Sequence, residues 1–212
     1  MKKSVLLFGS TGLTGSECLK ILLDDPYFSS ITAPVRELTG VKHRKLNEVK
    51  INFSELKKHN NIFSTDAVIC SLGTTIHKAK SREAFRYVDL EIPYEVARAS
   101  AKAGIPHFLL VSSLGANIMS SVFYYKIKGS LEDEIMKLPF KSITIVRPSV
   151  ILGKRKEFRI KEELVKLLIP IIPQKYKPVK ASLIARVMIN AIKSSPEGIQ
   201  IIENIEFSKL TF

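Results

Sequence analysis

Five short apolar runs, SVLLF (4–8), SITAPV (30–35), AVICSL (67–72), HFLLVSS (107–113) and SITIVRP (142–148), punctuate the first 148 residues. Each is too continuous for a strand with one wet face and too short for a buried helix, so each reads as a strand covered on both sides. Helix-length segments lie between them at 13–24, 82–103 and 121–138. The second carries Phe85, Val88, Ile92, Val96 and Ala99 at helical spacing and stops at Gly104. A shorter strand fits around 48–51. Strands alternating with helices give a parallel sheet with helices on both faces. Right-handed crossovers make that sheet doubly wound, and the expected class is α/β, mostly parallel.

A chain of 212 residues with 45% hydrophobic and 25% charged residues is sized for one folding unit with its own core. The pattern changes after Pro148. Residues 154–178 are basic and broken by prolines, and ASLIARVMINAIK (181–193) reads as an amphipathic helix. The reading is therefore a single domain, residues 1–212, with a core at 1–148 and a small substrate-side lobe at 149–212. Lys166 and Pro170 interrupt LVKLLIPIIP (164–173), which is expected to pack over a pocket or a partner rather than lie on a membrane surface.

The stretch LLFGSTGLTGSECLK (6–20) places Gly9, Gly12 and Gly15, three of only ten glycines, where the first strand passes into the first helix. Such a junction aims backbone amides and the positive end of a helix dipole at one point, which suits a pyrophosphate. Gly9 would permit the turn, Gly12 the close approach and Gly15 the packing of the helix. The spacing is GxxGxxG rather than GxGxxG. Its position directly after the first strand favours a nucleotide site over a purely structural turn. In that fold the residue ending the second strand selects the adenosine ribose, and Arg36 there favours a 2′-phosphate, while the adjacent Glu37 keeps the unphosphorylated cofactor open. Leu72, Gly73 and Thr74, in the loop after the third of the runs, lie where carboxyl ends of strands form the ligand crevice.

Tyr124 and Lys128 are four residues apart in a helical segment and project from one face. A lysine beside a tyrosine favours the phenolate, making the phenol a usable proton donor and acceptor. Tyr176 and Lys180 share the spacing, but Pro178 between them rules out a helix. Ser112 and Ser113, at the end of their strand, offer hydroxyls to a carbonyl oxygen. A carbonyl held between serine and tyrosine beside a nicotinamide is a site for hydride transfer.

Taken together, GSTGLTG, CSLGTT, KAGIPHFLLVSSLGA, YYKIKG and VRPSVILG, in this order across residues 4–153, resemble the atypical short-chain dehydrogenase/reductases, specifically the Tat-interacting oxidoreductase subgroup and its bacterial relatives. The resemblance implies a Rossmann fold holding NADP(H) in preference to NAD(H). Tyr124 would be the acid/base, Lys128 would bond the nicotinamide ribose, and Ser113, favoured over Ser112, would orient the carbonyl. Ser10, Thr11, Gly12, Leu13 and Thr14 would surround the pyrophosphate, Arg36 the adenosine end, Leu72 and Gly73 the cofactor's flank, and Val150 and Ile151 the nicotinamide. The chain departs from the pattern twice. Glu37 follows Arg36 where relatives carry paired arginines, and Asp89 falls where superfamily members often place asparagine, which puts any proton relay through that position in question.

The expected activity is an NAD(P)-dependent oxidoreductase acting on a small carbonyl or alcohol. The competing reading is a dinucleotide-binding regulatory or scaffold protein without turnover. The net charge of +13 is spread over dispersed lysines with no nucleic-acid recognition motif, so no specific nucleic acid is expected. His43, His59, His77 and His107 lack ligand spacing, and no metal is expected. Arg147 is read as a tether through a carboxylate, or as a contact for a substrate carboxylate. Two cysteines, Cys18 and Cys70, no run of transmembrane length and an initial apolar run too short for a signal peptide give the expectation of a soluble, cytoplasmic protein. The oligomeric state is left open.

Overall fold

The computed structural model describes residues 2–153 and 173–207. The elements, in chain order, begin with β1 (Lys3–Phe8), α1 (Leu13–Asp24), β2 (Phe28–Val35) and β3 (Leu46–Lys50). After a 3-10 stretch (Phe53–Ile62) come β4 (Ala67–Cys70), the short α2 (Ile76–Ala79), α3 (Arg82–Arg86) and α4 (Ile92–Lys102). β5 (His107–Val111), α5 (Phe123–Met136) and β6 (Ser142–Arg147) follow. The chain continues through β7 (Ile151–Leu152), β8 (Val179–Lys180), α6 (Ala181–Ser194), β9 (Gly198–Glu203) and α7 (Asn204–Phe207).

Seven of the strands form one sheet in the order β3-β2-β1-β4-β5-β6-β9, with every pairing parallel. β7 and β8 make a separate parallel pair. The chain order reverses between β1 and β4, and at this switch point the carboxyl ends of the strands open a crevice.

The period of two along each strand divides the core. Val5 and Leu7 of β1 face one side with Cys18 and Leu22 of α1 and Ile184 and Met188 of α6. Leu6 and Phe8 face the other, with Val96 and Ala97 of α4 and Ile127 and Leu131 of α5. A parallel sheet buried on both faces, as the apolar runs imply, is the result. Residues 181–203, placed by the sequence reading in the substrate-side lobe, supply α6 and the edge strand β9 to this main sheet. The segment LVKLLIPIIP lies outside the described residues, except for Pro173. Residues 176–180 pass from a 3-10 turn into β8, so the second Tyr/Lys spacing is not on a helix.

The expected single helix at 82–103 is instead α3, a π-helical turn at Tyr87–Glu91, and α4. Pro93 is the cause in the sequence. It has no N–H to give the carbonyl of Asp89, and the Ile92 N–H reaches back five residues to Tyr87. The widened turn carries Asp89 into the interior, where it is fully buried.

Candidate active site

Gly9 adopts φ +83°, a left-handed conformation that admits glycine at little cost. Its carbonyl accepts from the Gly12 N–H at 2.8 Å, closing the turn. A Cβ on Gly15 would lie 2.0 Å from the Gly9 carbonyl oxygen, so α1 can sit this close to the turn only with glycine there. α1 has Gly12 as its N-cap and so carries no side-chain cap on its first amides among the described residues. The Ser71 hydroxyl donates to the Phe8 carbonyl at 2.9 Å and ties the tips of β1 and β4 together at the switch point.

Across the crevice, α5 brings up Tyr124 and Lys128. A Cβ on Gly129 would come within 2.3–2.6 Å of the backbone of Asn117 and Ile118, so glycine lets α5 press against the loop that follows β5. Tyr124 is half-buried, its ring 5.6 Å from Phe85 and 5.4 Å from Tyr125. Lys128 is buried, and its Nζ lies 2.6 Å from Asp89 Oδ1. Asp89 Oδ2 accepts from the Thr74 N–H at 2.8 Å, which links the ion pair to the loop after β4. Gly73 covers the pair, and a Cβ there would sit 3.3 Å from Asp89 Oδ1. Burial disfavours the Lys128 ammonium. The Asp89 carboxylate, with Tyr124 and Cys70 adding smaller effects, outweighs that cost and holds Lys128 above the ordinary lysine range.

These elements enclose a cleft of about 290 Å³. Of the residues singled out in the sequence, Gly12, Leu13, Thr14, Leu72, Gly73, Thr74, Ser112, Tyr124, Lys128, Val150 and Ile151 line it. Gly9, Ser10 and Gly15 stand behind its wall as the scaffold of the turn, Thr11 is exposed at the turn, and Arg36 is exposed beyond the end of β2. Ser112 lines the cleft, whereas Ser113, the serine favoured from the sequence, is not among its lining residues. Successive residues at a strand end point to opposite sides, and the Ser113 hydroxyl donates to the Leu114 carbonyl at 3.2 Å. The buried Ser112 hydroxyl has no partner among the described residues.

The cleft also takes in Ser71, Thr75, Lys78, Asp89, Val111, Leu152 and Gly153. Lys78 and Thr75 escape a sequence reading because α2 is four residues long and shows no periodicity. Asp89 was visible only as a departure from a pattern. Arg147, by contrast, is turned away as a tether: its guanidinium donates to Glu132 of α5 and Glu203 of β9.

Sheet order, glycine turn and the Tyr124–Lys128 face together define a Rossmann-fold protein of the atypical short-chain dehydrogenase/reductase class. The chain belongs to the HIM1 family, whose model matches residues 29–180. It is 37% identical over 158 residues to Protein FMP52-1, mitochondrial, of Scheffersomyces stipitis, covering 72% of this chain and 69% of that protein. It is 31% identical over 210 residues to Protein HTATIP2 of Rattus norvegicus, covering 95% and 86%. Among solved structures, the Bordetella bronchiseptica enzyme WbmH in complex with NAD+ superposes with a TM-score of 0.72 at 15% identity, covering 96% of this chain and 76% of that one. That likeness is one of fold.

The mitochondrial names of the FMP52 relatives overturn the cytoplasmic expectation. Its basis was weak on physical grounds: Cys18 and Cys70 are fully buried and burial pushes both thiols up to about 12, so they are inert whatever the redox state of the compartment. No helix among the described residues is long and apolar enough to cross a membrane.

Proposed function

We propose that the protein is an oxidoreductase that binds a nicotinamide dinucleotide, NADP(H) in preference to NAD(H), and interconverts a small carbonyl compound and its alcohol. One observation carries this reading: the uncapped start of α1, the Ser112 hydroxyl and the Tyr124–Lys128 face converge on a single cleft. The residues present fit the cofactor. Glycine at 9, 12 and 15 lets the turn pack closely on itself where α1 begins, which brings the first amides of α1 to the cleft, and Val150 and Ile151 offer an apolar wall for a nicotinamide ring. Arg36 stands exposed after β2, and Glu37 beside it is ion-paired to Lys50 at 2.7 Å, which supports the phosphorylated cofactor.

The bound dinucleotide supplies the hydride. Ser112 and Tyr124 hold the carbonyl oxygen by hydrogen bonds, Tyr124 exchanges a proton with that oxygen, and Lys128 stabilises the phenolate that results. In this reading the dinucleotide lies along the carboxyl ends of β1, β4 and β5, with Val150 and Ile151 beside its nicotinamide.

Calorimetric titration with NADPH, NADH and their oxidised forms tests the proposal. NADPH binding that survives Tyr124→Phe and is lost in Gly12→Glu is the expected result. A folded wild-type chain that binds no dinucleotide would sink it and bring forward a partner-binding role without turnover.

A further inference from the structure

Asp89 has no part in the mechanism just derived, yet it is the most deeply buried charge near the cleft. Its carboxylate meets Lys128 Nζ at 2.6 Å and the Thr74 N–H at 2.8 Å, and its side chain is 1% exposed. Its Oδ1 holds the ammonium by charge and its Oδ2 accepts a hydrogen bond, an arrangement that fixes charge and position.

We propose that Asp89 is a positioning residue that neutralises the buried Lys128 ammonium and thereby keeps the Tyr124–Lys128 pair fully protonated, so that the site is set to give a proton in carbonyl reduction rather than to take one in alcohol oxidation. The inference rests on the oxidoreductase reading and deepens it. The charge balance is the argument. With Asp89 present, the trio of carboxylate, ammonium and phenol sums to zero, and losing a proton leaves a net negative charge in the interior. With an uncharged residue in its place the pair starts at +1, and losing a proton relieves the buried charge. A neighbouring charge at this range shifts proton affinity by roughly one to three pH units. The pair releases its first proton as a coupled unit, whichever group gives it up.

Among the described residues, the other ionisable groups near the pair are Cys70, Tyr125 and Lys78. Cys70 of β4 is a neutral thiol, pushed up to about 12 by burial. Lys78 of α2 is an exposed cation on the cleft wall, common to the wild type and every Asp89 variant, so it does not alter the comparison between them. In the reducing direction the carbonyl carbon accepts a hydride from the reduced dinucleotide. The C–O π pair takes the proton of Tyr124 Oη, and the phenolate left beside Lys128 regains a proton from water. An alcohol and the oxidised dinucleotide are the products.

The test uses the full chain without cofactor, labelled with 13C at tyrosine Cζ and lysine Cε, with the two resonances assigned through Tyr124→Phe and Lys128→Met. Both signals are followed with pH in the wild type and in Asp89→Asn, which still accepts from the Thr74 N–H. The expected result is that the first transition of the pair, at either nucleus, moves to lower pH by roughly one unit or more in Asp89→Asn. The alkaline limb of NADPH-dependent carbonyl reduction is expected to move with it, while Asp89→Glu keeps the wild-type titration. Asp89→Ser, also charge-free, serves as a second variant if the amide impairs folding. An unchanged first transition in a folded charge-free variant overturns the role of Asp89. If that variant still binds NADPH, the oxidoreductase reading stands without it. If the transition moves but the wild type binds no dinucleotide, the direction of catalysis falls with that reading.

Discussion

Helix α5 carries two buried charges four residues apart, Lys128 and Glu132, which have the spacing to pair with each other and do not. Glu132 is taken by Arg147, whose Nε donates to both carboxylate oxygens at 3.1 Å while its Nη1 reaches Glu203 at 2.8 Å. This cluster locks α5 to the ends of β6 and β9, and the two carboxylates, Glu132 foremost, hold Arg147 above the ordinary arginine range despite burial. One turn earlier, Asp89 engages Lys128 through a single contact, and a lysine has three N–H groups. The planar fork, bonded through all three of its nitrogens, makes a clamp. The point charge with donors to spare makes a site, because only unsatisfied groups at a cleft can answer to a ligand.

The sharpest division between the two clusters is expected in activity. Tyr124→Phe should cut turnover by roughly a hundred- to ten-thousand-fold, the range for a removed general acid, and leave the denaturation midpoint near that of the wild type. Steady-state kinetics and a denaturation curve measured on the same preparation check both halves.

Arg147→Ala should do the reverse. It leaves Glu132 buried and unpaired, at a cost of roughly 3–5 kcal/mol of stability by urea titration, with dinucleotide affinity retained in the folded fraction. Loss of binding without loss of stability would erase the distinction between clamp and site.

A third buried polar group sits at the other end of β5 from the cleft. His107 accepts or donates through Nε2 to the Thr144 hydroxyl at 3.0 Å, and burial, with Lys3 adding repulsion, lowers its pKa to about 4. A histidine that is neutral when folded and charged when unfolded contributes its full stability above about pH 6.5, and the contribution is lost as pH falls from there toward 4. The loss amounts to roughly 3 kcal/mol and should be absent in His107→Gln, as judged by stability at pH 7 and pH 4.5.

The smallest effect is expected on the outer face of α5, where Lys137 pairs with Asp133 and Glu134 in full contact with water. Lys137→Ala should leave both the melting temperature and cofactor binding where they are, since exposed pairs are screened and gain little.

Much of this architecture is legible in the chain. The boundaries of α1 follow from the glycine junction and the apolar period, and the five main strands follow from runs that are apolar on both faces. The edge strand β9 escaped because GIQIIE is half exposed and looks like a turn after the helix, and the break in the 82–103 helix escaped because a period of 3.6 does not register one extra residue. Within the cleft, Tyr124 and Lys128 are readable because a helix fixes what four residues of spacing means.

What the sequence determined by itself is therefore whatever local geometry dictates: the class of the sheet, the turn that only glycine can make, and the shared face of Tyr124 and Lys128. Only the tertiary structure decided which serine meets the cleft, that Asp89 rather than Glu132 partners Lys128, and that Arg147 belongs to the framework. Those choices depend on side chains from segments 15 to 56 residues apart in the chain, brought within hydrogen-bonding distance in an interior where an unpaired charge is too costly to leave.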